Sequence, residues 1–132
     1  MQHYHSFNNA MRARFGRKMY KLALDGGFTC PNRDGTLGTR GCIFCSGAGE
    51  FAEKQAGTLT EQLEAAKARV ADKAGDAGYI AYFQAFTNTY ATPERLRACY
   101  LPVVRHSDVA VLDIAILVFF PQLITWIPSM MQ

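Results

Sequence analysis

Four cysteines in 132 residues, two of them three positions apart, are too few and too clustered for a disulfide framework. No continuous apolar stretch lies between Met1 and Lys21, so no secretory leader is expected and the reducing cytoplasm is the expected setting. There, clustered cysteines point to metal or redox chemistry. Eleven Gly and five Pro interrupt any long heptad run, which excludes a coiled coil. A hydrophobic share of 49% with a net charge of only +3 excludes disorder. Acidic residues are absent from positions 1–21, which carry Arg12, Arg14, Arg17, Lys18 and Lys21. Such a basic face either meets a phosphate backbone or is simply a solvated helix face. Charge of either sign is absent from Ile114 to Gln132. Val109 to Ile127 is 19 residues long and mostly apolar, but Asp113 and Pro121 interrupt it and no basic residue follows. A membrane span wants ~20 clean apolar residues, so none is expected here.

The length suits one domain with one core. Ser6 to Phe15 reads as a short helix, capped by Ser6 or Asn8 and closed by Gly16. Met19 to Leu24 alternates, with Tyr20, Leu22 and Leu24 on one face, which predicts a strand. Thr29 to Gly57 is Gly-rich and aperiodic, a long loop of the kind that usually has a function. Thr58 and Glu61 form a capping-box pattern that opens a helix running to about Ala74. Tyr79 to Phe83 is a nearly continuous apolar run, as in a strand buried on both faces. Thr92-Pro93 starts a third helix with Leu96, Cys99, Tyr100 and Val103 as its inner stripe, and Pro102 is expected to end or kink it. Val109 to Ala115 reads as the third strand. Strands alternating with helices predict an α/β fold with parallel βαβ units, in which chemistry gathers at the carboxyl ends of the strands.

The long loop follows the first strand and holds Cys30, Cys42 and Cys45 with the spacing C-x11-C-x2-C. The close pair can bring two sulfurs to one metal, and the intervening glycines let Cys30 join them. Three arrangements compete. Zinc wants a fourth ligand, from His3, His5, His106 or Cys99. A disulfide leaves an odd cysteine. A four-iron cluster on three thiolates leaves one iron open, as a catalytic site requires.

Residues around the cysteines carry a resemblance. Gly27-Phe28-Thr29-Cys30-Pro31-Asn32-Arg33-Asp34-Gly35-Thr36 and Gly41-Cys42-Ile43-Phe44-Cys45-Ser46 resemble the cluster loop of the radical S-adenosylmethionine (SAM) superfamily. The lengthened first spacing with Pro-Asn-Arg is similar to the YhcC-type family, itself similar to the catalytic subunit of elongator. Ile80 to Tyr90 resembles that family's second strand and following loop, and the likeness extends over about Tyr4 to Ala115. The resemblance implies the N-terminal part of a partial (β/α) barrel of radical SAM type, with a [4Fe-4S] cluster held by Cys30, Cys42 and Cys45. It also implies SAM on the open iron, its reductive cleavage by one electron from a flavodoxin- or ferredoxin-type donor, and tRNA modification. Phe44 matches the position near the adenine; Thr87, Asn88 and Thr89 fall where relatives contact the methionine amino group, and Gln84 is a further candidate.

Beyond the third strand the pattern departs from the family. From about Ile116 the chain is apolar and lacks the expected turn and further βα units. The expectation is therefore an incomplete radical SAM core over residues 1–115 and a divergent tail over 116–132, truncated or out of frame, with weak activity or none. The alternatives are a non-catalytic zinc module of three Cys and one His, and an inactive degenerate fragment.

Overall fold

The computed structural model describes residue 4, residues 6–42 and residues 57–114. The elements are α1 (Phe7–Phe15), β1 (Met19–Ala23), α2 (Leu59–Ala74), β2 (Gly78–Phe83), α3 (Pro93–Val104) and β3 (Val109–Ile114). All three strands are parallel and lie in the order β1-β2-β3. Met19 pairs with Gly78 and Ala23 with Tyr82, and an irregularity between Tyr79 and Ile80 shifts the β2–β3 register. The fold is thus α/β with parallel βαβ crossovers.

Local chemistry sets the helix boundaries. Ser6, not Asn8, caps α1, its hydroxyl accepting from the Asn9 N–H at 3.2 Å. Thr58 and Glu61 close the reciprocal capping box of α2. Thr92 caps α3, with Pro93 at its first turn. Pro102 does not end α3, which continues to Val104. In the last turn a proline forfeits one backbone bond, and the half-buried Tyr100 and buried Val103 hold the helix regardless.

Leu22, Leu24, Ala81 and Phe83 from the sheet side meet Leu63 and Ala66 of α2 and Val103 of α3 in one core. Ile80, Ala81 and Phe83 are all nearly inaccessible, so β2 is covered on both faces. Leu24 lies one residue past β1, yet its N–H still donates to Tyr82 O at 2.9 Å. The chain therefore leaves β1 in register and enters the cysteine loop from the carboxyl edge of the sheet.

At the opposite edge, before β3, a cluster of charges joins α2 to the 106–108 turn. Lys67 Nζ lies 2.9 Å from Glu64 Oε1 and 2.5 Å from Asp108 Oδ2, while His106 Nε2 is 3.4 Å from Glu64. The Lys67 bond holds the Asp108 carboxyl below its ordinary range, with Ser107 adding to it. Asp108 and then Glu64 raise the Lys67 ammonium. Asp108 therefore stabilises the fold above an unfolded pKa of about 4, and that contribution is lost as pH falls through its lower folded value. Lys67 contributes below an unfolded pKa of about 10.4, and its share is lost as pH rises through its folded value. Thermal unfolding followed against pH should show Tm falling below about pH 4. In Asp108→Asn that acid limb should be shallower.

Candidate functional site

The loop after β1 is built by backbone bonds that fold it back on itself. Cys30 O accepts from the Arg33 and Asp34 N–H groups at 2.8 and 3.0 Å, and Pro31 O accepts from Leu37 at 2.8 Å. Asn32 O accepts from Gly41 N–H at 2.8 Å, bringing the far end of the spacer next to its start. Gly41 is needed for its φ of +71°, a left-handed conformation that side-chain-bearing residues rarely adopt. In consequence Cys30, buried, and Cys42, half-buried, stand on one folded loop as free thiols. The Asn32 side-chain amide donates to Cys42 Sγ at 3.4 Å. Cys45 and Phe44 lie outside the described residues.

Three contacts clamp the start of the loop to the domain. Phe28 lies 5.8 Å from Tyr100, which meets the core residue Phe83 edge-on at 5.0 Å. Arg95 sits 5.6 Å from the Phe28 ring and donates to Gly26 O at 3.3 Å. Gln62 of α2 is 4% exposed, accepts from Asp25 N–H at 2.9 Å and donates to Asp25 O at 3.2 Å. Sequence reasoning missed Gln62. Its signal was a polar residue on the helix face shared by Leu59 and Ala66, where only a partnered side chain is tolerated. Gln62→Ala removes both side-chain partners of the part-buried Asp25 backbone, so stability should fall by about 1 kcal/mol in denaturant titration.

The second loop follows β2 and lies beside the first. Thr87 N–H donates to Thr29 O at 3.2 Å, tying the two loops together one residue before Cys30. Phe86 has a left-handed φ of +61°, a strained conformation for a non-glycine residue, just before the buried pair Thr87 and Asn88. Thr87 Oγ1 and both side-chain polar atoms of Asn88 are buried with no hydrogen-bond partner among the described residues. Orphans of this kind are rare in folded proteins and call for an explanation, such as a ligand or an ordered water. Asn88 is held from behind, since its backbone O accepts from the Tyr100 hydroxyl. Burial, with the neighbouring Cys99 adding to it, pushes that hydroxyl far above its ordinary range, so it stays a donor. Thr89 O accepts from Ala91 N–H at 3.1 Å within the same turn. Gln84 is differently engaged: its Oε1 accepts from the Tyr82 hydroxyl.

The remaining candidate ligands are elsewhere. Cys99 is buried on α3 with its thiol raised by burial and its Sγ 3.9 Å from Gly26 O. It borders a cleft of about 550 Å³ between the start of α2, α3 and the 25–27 turn, not the described loop cysteines. His106 belongs to the charge cluster before β3, at the sheet edge opposite the cysteine loop, so it does not complete a four-ligand zinc site with Cys30 and Cys42. His3 and His5 lie outside the described residues. Among the described residues no helix is long and apolar enough to cross a membrane.

Fold and site together define an α/β domain whose free thiols and orphaned polar pair share the carboxyl edge of a parallel sheet. The chain is 49% identical over 114 residues to the uncharacterized protein YtqA of Bacillus subtilis (strain 168), covering 85% of this chain and 35% of that protein. It is 43% identical over 105 residues to protein YhcC of Escherichia coli (strain K12), covering 78% of this chain and 33% of that protein. The chain thus spans about a third of the length of the curated relatives it matches. These names state no activity, cofactor or substrate. No family model matches the chain. No solved structure matches it significantly.

Proposed function

We propose that Cys30, Cys42 and Cys45 hold a [4Fe-4S] cluster with one open iron, and that the adjoining β2 loop binds SAM, within the N-terminal part of a (β/α) barrel. The observation that carries this reading is the buried Thr87–Asn88 pair, unpartnered among the described residues and bonded through its backbone to the loop that bears the thiols. The donor set fits: soft thiolates suit iron–sulfur clusters, and three of them leave one iron without a protein ligand. Such a cluster supplies one electron, received from a flavodoxin- or ferredoxin-type donor, for reductive cleavage of SAM.

This chain's own residues bind and orient. Asn88 Oδ1 can accept from the methionine ammonium and its Nδ2 can donate to the carboxylate. Thr87 Oγ1 can do either. Tyr100 holds the Asn88 backbone from behind. Phe44 is the aromatic residue for the adenine. Burial of the orphaned pair excludes water, which strengthens every polar contact made there.

tRNA is the substrate class we assign. Arg12, Arg14, Arg17 and Lys18 are all exposed around α1 and the turn after it, with no acidic residue on that segment. That face leads into the start of β1, away from the thiol loop. It suits the backbone of a long polynucleotide rather than the reacting base.

Anaerobic reconstitution tests the reading. The 132-residue chain should bind iron and acid-labile sulfide, about four of each per chain. One zinc per chain without sulfide would overturn it in favour of a thiolate zinc module.

A further inference from the structure

We infer that Asn32 is a positioning residue for this centre, holding the Cys42 sulfur through an N–H···S bond and favouring the reduced state of the cluster; the inference rests on the cluster reading above. Asn32 lies between two ligands and ties both ends of the spacer that separates them. Its backbone O accepts from Gly41 N–H at 2.8 Å, and its side-chain Nδ2 donates to Cys42 Sγ at 3.4 Å. The turn that carries it is fixed separately, by Cys30 O accepting from Arg33 and Asp34 and by Pro31 O accepting from Leu37. Removing the side chain therefore deletes the bond to sulfur while the backbone bonds of the turn remain.

The electrostatic consequence has a definite sign. An amide N–H directed at a thiolate places partial positive charge against sulfur. One electron added at the centre, from a low-potential donor such as dithionite, increases the negative charge shared by the thiolates. The Asn32 bond strengthens as that charge grows, so it stabilises the reduced state more than the oxidised one. Asparagine does this without a formal charge or a titrating group. Aspartate has the same shape, offers no donor when ionised, and turns a negative oxygen toward the sulfur.

The test compares native chain, Asn32→Ala and Asn32→Asp after anaerobic reconstitution. Iron and sulfide are measured, and the midpoint potential is read by dithionite titration followed by electron paramagnetic resonance. Both variants should keep their iron. Their midpoints should shift to more negative values, further in Asn32→Asp than in Asn32→Ala. An unchanged midpoint in an iron-replete Asn32→Ala chain would overturn the inference while leaving the cluster reading intact. Loss of iron from both variants would also overturn it, by making Asn32 part of the loop's folding rather than of its tuning. A native chain that assembles no cluster would remove the reading beneath, and the native arm alone reveals that.

Discussion

Replacing Cys30, Cys42 or Cys45 by Ala should abolish the brown chromophore of the reconstituted chain, whereas Cys99→Ala should keep it. The contrast follows from where the sulfurs stand. Cys30 and Cys42 are joined through Asn32 on one folded loop at the carboxyl edge of the sheet. Cys45 follows Cys42 at a spacing that lets both sulfurs reach one centre. Cys99 is a buried residue of α3 whose thiol is directed at the Gly26 carbonyl. With two thiolates left, a cluster loses a second iron site and with it most of its binding free energy, so the expected effect is loss and not attenuation. Absorbance and iron content after anaerobic reconstitution measure it, with circular dichroism to check the fold. Loss of iron in a folded Cys99→Ala chain would move the centre to a different set of ligands.

Asn88→Ala should weaken SAM binding roughly ten- to hundred-fold, since a hydrogen bond to a charged group is worth ~1.5–3 kcal/mol. Iron content should not change, because the β2 loop supplies no thiolate. Folding should not suffer either: the Asn88 side chain makes no hydrogen bond among the described residues, and the bond from Tyr100 goes to its backbone. Removing an orphaned buried amide relieves a desolvation cost, so the variant should be at least as stable as the native chain apart from the small void it leaves. Equilibrium binding of SAM to the reconstituted chain, with thermal unfolding in parallel, checks both halves. A variant that loses stability with unchanged SAM affinity would make Asn88 a structural residue.

Much of this fold was legible because its signals are local. Thr58 with Glu61, Thr92 with Pro93, and Ser6 each mark a helix start within four residues of sequence. The alternation of Tyr20, Leu22 and Leu24 and the apolar run before Gln84 mark two strands by the period of the backbone itself. The order of strands and helices then places both loops at one edge of the sheet. What was not legible depends on partners distant in sequence or on a backbone state that no residue type announces. Gln62 stands on the inner face of α2, but that position does not name its partner, Asp25, 37 positions away. Phe86 adopts a left-handed conformation that favours glycine. Pro102 reads as the point where α3 ends or kinks, because proline cannot donate the next helical bond, yet the helix runs on to Val104. His106 stood among candidate partners of the loop cysteines, yet its ring faces Glu64 in the charge cluster before β3.

In the proposed arrangement the thiol loop holds a cluster whose open iron takes SAM from the neighbouring β2 loop. Electron paramagnetic resonance of the anaerobically reduced, reconstituted 132-residue chain, recorded without and with SAM, tests it most directly. The expected result is a signal from a reduced four-iron cluster whose shape changes when SAM is added, because a new ligand reaches one iron. A chain that binds zinc and gives no such signal, or a cluster signal that is identical with and without saturating SAM, would contradict it.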